Sequence, residues 1–213
     1  AYVVAVPDSA GTVERLEQVA MTADKLLTSW FDSDMVLGVA WGTTLAAVSR
    51  YLTPKATRGS VVVQLNGAAN MRTSGIEYAS DLISSFGTAF GAGVHHFSVP
   101  AFFDYPDTKA AMWRERSVRR VLDMQARVDI ALFSVGAVAG AVPSHVYSAG
   151  YLDDADVQAL HDEGVVGDVC TVFLRGDGSW ADVPLNARAT GPSPDELKHI
   201  PRRVCVVAGD NKV

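Results

Sequence analysis

The chain has 213 residues, 48% of them hydrophobic and 20% charged, with a formal net charge of −6. Such a composition can bury a sizeable core in one large α/β unit and excludes a disordered or fibrous chain. The acidic balance argues against nucleic-acid binding by this segment alone, because the one basic stretch, Arg114-Glu-Arg-Ser-Val-Arg-Arg120, is interrupted and helical in spacing.

Strand-like and helix-like patterns alternate from the first residues. Tyr2 to Val6 reads as a strand, and Thr12 to Trp30 as an amphipathic helix with Val13, Leu16, Val19, Leu26 and Leu27 on one broad apolar face. Met35 to Ala40 follows as a buried strand, Trp41-Gly42 as a turn, and Thr43 or Thr44 as the cap of a helix running to about Arg50. Backbone N–H groups and the helix dipole would converge in front of those threonines, as at a phosphate or sugar site. A capped helix with no ligand fits the same turn, and the Trp41 ring is expected in the core.

Ser60 to Leu65 is a β-branched strand ending in Asn66-Gly67-Ala-Ala-Asn70, with a helix expected from about Ser74 to Phe90. His95 to Ala101 reads as a further strand, whose alternation points His95 and His96 to opposite faces, so they cannot jointly hold a metal. Ser117 to Ala126 is a helix, and Val128 to Val135 a strand ending in Gly136-Ala-Val-Ala-Gly140. His145 and Tyr147 are expected on a loop beyond that strand's C-terminal end, where α/β folds bind ligands; with Gly136, and Arg72 past the Asn66 turn, they are candidate pocket-lining residues.

Asp153 to Glu163 reads as a short acidic helix. Val165 to Leu174 and Trp180 to Val183 are expected to form a hairpin turning at Asp177-Gly178. Gly191 to Lys198 starts another helix, and Arg203 to Gly209 is a last buried strand. The alternation predicts a Rossmann-like, mostly parallel sheet flanked by helices, with a small β-hairpin insertion. No repeat or linker divides residues 1–213, and a strand ending so near Val213 suggests an architecture that continues past it.

Cys170 and Cys205 sit in apolar runs and are expected reduced and buried, without a disulfide framework, a metal site or a cofactor. No apolar run reaches the roughly 18 residues of a membrane span, and the first residues lack a signal-peptide layout, so a cytoplasmic protein is expected.

An ordered set of short motifs spans almost the whole chain. It comprises Leu37-Gly-Val-Ala-Trp-Gly-Thr-Thr-Leu45, Gln64-Leu-Asn-Gly67, Ala149-Gly-Tyr-Leu152, Gly167-Asp168, Pro184-Leu-Asn186, Ile200-Pro-Arg-Arg-Val204 and Ala208-Gly-Asp-Asn-Lys212. Together they resemble the sugar-binding effector domain of SorC/DeoR-type bacterial transcriptional regulators. The resemblance implies a fold related to glucosamine-6-phosphate deaminase and ribose-5-phosphate isomerase. It further implies a homo-oligomer, dimer or tetramer, with DNA bound through a separate helix-turn-helix domain that this chain lacks.

It also implies site residues. Gly42, Thr43, Thr44, Asn66 and Gly67 match positions around a phosphorylated sugar. Asn66 stands where some relatives carry a basic residue, so a singly phosphorylated or unphosphorylated sugar is expected over a bisphosphate. Glu77 lies near a polar contact position, Asp168 would accept from sugar hydroxyls, and Lys212 matches a lysine that faces the effector phosphate or forms a Schiff base. Ion pairing is expected for Lys212, because Asp210 opposes the lowered pKa that covalent chemistry needs. Asp168 as a turn cap and Lys212 as a solvated side chain remain alternatives.

Two functional classes compete. A sensor would bind a sugar or sugar phosphate above the strand ends and shift an oligomer between DNA-binding states. An isomerase or deaminase needs a carboxylate base paired with a proton relay, and no Asp-x-x-His arrangement supplies one. The sensor is therefore favoured, no catalytic residue is assigned, and an oligomerisation unit without a ligand is disfavoured by the Gly-rich loops.

Overall fold

A computed structural model describes residues 1–70, 76–138 and 144–209, and only the backbone of Ile76 and Glu77. A parallel sheet forms the frame. Strand β1 (Val36–Val39) pairs β2 (Val61–Gln64) on one side and β4 (Ile130–Ala137) on the other, with β3 (Gly93–His95) beyond β2 and β7 (Arg202–Val206) beside the first half of β4. The second half of β4 leaves β7 and pairs antiparallel with β5 (Val165–Val169), which turns into β6 (Val172–Arg175).

Short β-branched runs with no polar alternation build the inner strands, as expected for strands covered on both faces. Leu37, Val39, Val62, Ile130 and Leu132 pack on one face with α1 (Thr12–Trp30), α2 (Thr43–Ser49) and α3 (Ile76–Phe90). The alternate residues Val63, Leu65, Ala131 and Phe133 pack on the other face with α5 (Arg116–Gln125) and α8 (Pro194–His199). Helix α8 starts in a full capping box between Ser193 and Glu196. The remaining α-helices among the described residues are α4 (Pro106–Met112), α6 (His145–Ser148) and α7 (Asp154–Asp162), the last capped by the Asp153 carboxylate. Among the described residues no helix is long and apolar enough to cross a membrane.

Several expectations are corrected. Tyr2 to Val6 forms no strand: Tyr2 and Val3 are exposed, and Tyr2 rests edge-on against Trp30 at the end of α1. A β-branched run has no ladder without a partner edge. The strand expected through Ala101 stops at His95, after which the buried amide of Gln64 takes the Phe97 N–H and only an isolated bridge joins Ala69 to Pro100. His95 therefore ends β3 and His96 lies beyond it, outside the expected alternation.

The hairpin turns at Cys170-Thr171, not at Asp177-Gly178, and residues 180–183 are not a strand. The side chain of Asn186 takes the place of that strand, accepting from Phe173 N (2.7 Å) and donating to Phe173 O (2.9 Å). His145 and Tyr147 stand on a helical turn, α6, where a loop was expected. Cys205 is exposed, because alternation along β7 buries Val204 and Val206 instead. Helix α4 adds to the expected elements, and Pro106 at its first turn is its start signal.

Candidate functional site

Chain order fixes where a ligand can enter. From β1 the chain steps through α2 to β2 and through α3 to β3, whereas β4 lies on the opposite side of β1. The helices following β1 and β4 are thereby split apart, leaving a crevice outside the carboxyl ends of those two strands. A cleft of about 430 Å³, open to solvent on one side, occupies that place.

One wall is the β1–α2 junction, Ala40 to Thr44. Gly42 has φ 152° and ψ 167°, a backbone region open only to glycine, and it is the cap residue of α2. This revises the expected geometry: Thr43 and Thr44 are the first two helical residues, and neither side chain caps the helix. Their N–H groups have no acceptor within the helix. Thr44 is only 4% exposed. Beneath the turn, Trp41 is in the core as expected, donating Nε1 to Gly67 O (2.8 Å) and stacking on Tyr151.

Asn66, at the end of β2, is 2% exposed, and its Oδ1 has no hydrogen-bond partner among the described residues. A buried amide oxygen left bare at a cleft costs on the order of 1–3 kcal/mol, which a ligand hydroxyl would recover. Gly67 stays behind the lining. A Cβ there would collide with Pro100 O, while its N–H donates to Thr190 Oγ1 at 3.0 Å.

The opposite wall comes from β4, α6 and the hairpin: Ser134, Val135, Gly136, Ser144, His145, Val146, Asp168, Cys170 and Thr171 all face the cleft. Asp168 is 5% exposed, and its Oδ2 accepts from Thr171 N at 3.2 Å. That N–H points inward because Cys170 (φ 51°) and Thr171 (φ 71°) both adopt the left-handed conformation, rare for a β-branched residue. Close packing holds the turn there: a Cβ on Gly191 would overlap Cys170 O, and one on Gly167 would overlap Gly136 O.

His145 stacks on Tyr78 with ring centroids 5.2 Å apart. Burial pushes the Tyr78 hydroxyl up to about 12, helped by neighbouring Tyr151 and opposed by Arg50. Tyr147 does not line the cleft but stands behind Asp168; burial, then the carboxylate's charge, raises its pKa well above the ordinary phenol value. Burial likewise pushes the Cys170 thiol up, with Asp168 and Cys205 adding to the effect, so it stays protonated.

The cleft thus brings together Gly42, Thr43, Thr44, Asn66, Gly136, His145 and Asp168 from five segments, with Gly67 and Tyr147 just behind. Arg72 and Lys212 lie outside the described residues, and Glu77 is placed on α3 by its backbone alone. Ser134, Ser144 and Thr171 were missed. Ser134 and Ser144 lie beside the Gly136 and His145 segments, and no local signal marks Thr171.

A broader groove of about 1580 Å³ lies over the other sheet face, lined in part by Lys109, Trp113, Asp129 and Glu196. Its carboxylates are engaged in holding backbone: Asp129 Oδ2 accepts from Val36 N and Glu196 Oε2 from Ser193 N. The cleft, with convergent polar groups at the strand switch, has the better ligand chemistry despite its smaller size.

Comparison with known proteins agrees with this placement of the chain. A family model of sugar-binding domains, Sugar-bind, matches residues 1–213. The deoxyribonucleoside regulator of Bacillus subtilis is 30% identical over 97% of this chain, which spans 64% of that protein. The crystal structure of a domain of a possible sugar-binding transcriptional regulator from Arthrobacter aurescens superposes with a TM-score of 0.91 at 54% identity, covering 99% of this chain and 80% of that one. The full-length sorbitol operon regulator SorC from Klebsiella pneumoniae shares the fold, with a TM-score of 0.84 at 17% identity, over 99% of this chain and 67% of that one.

Proposed function

The chain belongs to the Sugar-bind family, the sugar-binding domains of SorC/DeoR-type regulators, and from that premise we propose that it is the effector-sensing part of a sugar-responsive transcriptional regulator. The observation that carries the reading is the cleft at the β1/β4 switch, where first-turn N–H groups, an orphaned amide oxygen and a buried carboxylate converge. The anionic end of a sugar phosphate meets Thr43 and Thr44, and its hydroxyls meet Asn66 and Asp168. Asp168 would repel a phosphate, so the ligand has one orientation. Asn66 cannot neutralise a second phosphate, which favours a monophosphate or a free sugar.

Glu77 and Lys212 are assigned to the same site from their matching positions, with Lys212 as an ion-pairing cation, and Arg72 from its place just past the Asn66 turn. A pentose or deoxypentose phosphate is one candidate, since the Bacillus relative is named for deoxyribonucleosides. Residues 1–213 act as one sensing unit, and DNA is bound by a separate helix-turn-helix domain of a cytoplasmic homo-oligomer. Ligand binding shifts that assembly between DNA-binding states. Regulators, not enzymes, are the relatives, and a sensor needs no turnover.

A thermal-shift screen of sugars and sugar phosphates tests the reading. A ligand at 100 times its Kd stabilises the folded chain by about 2.7 kcal/mol. Thr43→Ala combined with Thr44→Val, which removes both hydroxyls but neither the first-turn N–H groups nor a side-chain cap, should reduce the shift. A full shift in that folded variant, or catalytic turnover of the ligand, contradicts the assignment.

A further inference from the structure

Where the chain leaves β2, the Asn66–Gly67 peptide is held at both of its polar ends by side chains. The Asn66 carbonyl accepts from Gln64 Nε2 at 2.7 Å, and the Gly67 N–H donates to Thr190 Oγ1 at 3.0 Å. The next carbonyl, Gly67 O, accepts from Trp41 Nε1 at 2.8 Å. A strand ladder ordinarily supplies such bonds, but β2 has ended at Gln64, so three buried side chains supply them instead.

The two polar side chains are fixed in turn. Gln64 Oε1 accepts from Phe97 N at 3.2 Å, which gives its amide a single orientation. Thr190 Oγ1 lies 3.0 Å from both Pro100 O and Ala101 O, to which it can donate, while Thr190 N donates to Ala101 O. Gly191 beside it packs too closely on Cys170 O to admit a Cβ, so the segment has no room to withdraw toward the hairpin. Buried polar groups are tolerated when they are paired, and these are. Asn66 Oδ1 is the atom left over, 98% of its residue buried and on the cleft wall, with no partner among the described residues. Thr190 lines the groove on the opposite sheet face and not the cleft, so it reaches a ligand only through Asn66.

We propose that Gln64 and Thr190 are positioning residues of the ligand site: by clamping the Asn66–Gly67 peptide at its two polar ends, they hold Asn66 Oδ1 as the acceptor for one ligand hydroxyl. This rests on the reading of the cleft as a sugar site. The clamp selects a ligand that carries a hydroxyl donor at the Asn66 wall. A bare anion held at Thr43 and Thr44 gains nothing from it.

The test sets Thr190→Val, which keeps the shape and removes the hydroxyl, beside Thr190→Ser, which keeps the hydroxyl. Gln64→Met removes the other end of the clamp independently. In the ligand-free protein, three-bond NMR couplings from Asn66 Cγ to its own N and carbonyl carbon should report one rotamer in the parent and in Thr190→Ser. In Thr190→Val and Gln64→Met they should report an average over rotamers. Binding is read with the sugar phosphates of the thermal-shift screen, ribose 5-phosphate and glucose 6-phosphate among them, and with inorganic phosphate. Affinity for a sugar phosphate that the parent binds should fall about tenfold in Thr190→Val and Gln64→Met and return in Thr190→Ser. Inorganic phosphate should bind all four proteins alike. An unchanged Asn66 rotamer in either folded variant overturns the inference, whatever binds. So does a loss shared by inorganic phosphate, or one that Thr190→Ser does not restore, since either reduces the clamp to packing. A parent that binds none of the sugar phosphates, beside averaged Asn66 couplings in the variants, overturns the sugar site while the clamp on Asn66 stands.

Discussion

The two walls of the cleft are built by opposite means. The β1–α2 wall is local: strand, glycine turn and helix follow one another from Val36 to Ser49, and the one backbone conformation it demands falls on Gly42. The hairpin wall is assembled from afar, with Gly136, Tyr147, Asp168, Asn186 and Gly191 brought together across 56 positions of sequence, and its demanding backbone falls on Cys170 and Thr171. A local wall has little to lose beyond its own residues. An assembled wall depends on neighbours that never touch a ligand, so lesions should spread in the second and stay confined in the first.

The strongest way to break that contrast is Asn186→Ala. Its amide accepts from Phe173 N and donates to Phe173 O and Trp180 O, substituting for an edge strand along β6. Losing these bonds and exposing their partners should cost about 2–3 kcal/mol in urea unfolding, and should weaken ligand binding although Asn186 does not line the cleft. Full stability with normal ligand affinity would show that the hairpin wall is as self-sufficient as the other.

Alkaline pH attacks the supports of α6. Tyr78 titrates near 12 and Tyr147 above the ordinary range when folded, whereas both titrate near 10 when unfolded. Their stabilisation is complete below pH 10 and is lost as the pH climbs through the folded values, because the unfolded chain gives up these protons first. Stability should therefore fall between pH 10 and 12 by up to about 1.4 kcal/mol per pH unit for each phenol. Tyr78→Phe and Tyr147→Phe should each flatten that decline, as followed by circular dichroism across the pH series.

The smallest effect is expected at the local wall. Gly42→Ala meets no neighbouring atom, so the cost is the backbone conformation alone, about 1–2 kcal/mol. The thermal midpoint should drop modestly and the hairpin wall should keep its amide spectrum. A loss exceeding that of Asn186→Ala would invert the comparison.

The same contrast explains what could be read from the sequence. Trp41-Gly42-Thr43-Thr44 announces itself because the special backbone falls on glycine and the apolar period changes there from strand to helix. Asn66 and Asp168 are legible as polar residues at strand ends, but their burial together is a product of sheet order. The hairpin misreads because Asp177-Gly178 has the stronger turn chemistry, yet tertiary contacts at Gly167 and Gly191 place the tight turn on Cys170-Thr171. Tyr2 to Val6 fails for the converse reason, having strand propensity and no edge to join. The threonines are the expected caps because a hydroxyl is the commoner cap, whereas glycine takes that position here and neither threonine side chain caps the helix.

Amide chemical-shift mapping during titration with a stabilising sugar phosphate tests the central claim most directly, that the ligand lies between these two walls. The account predicts the largest shifts at Gly42, Thr43 and Thr44 on one side and at Gly136, His145, Asp168 and Thr171 on the other, saturating with one affinity. Shifts centred on Lys109, Trp113, Glu196 and Ile200, in the groove over the opposite sheet face, with the cleft amides unmoved, would contradict it.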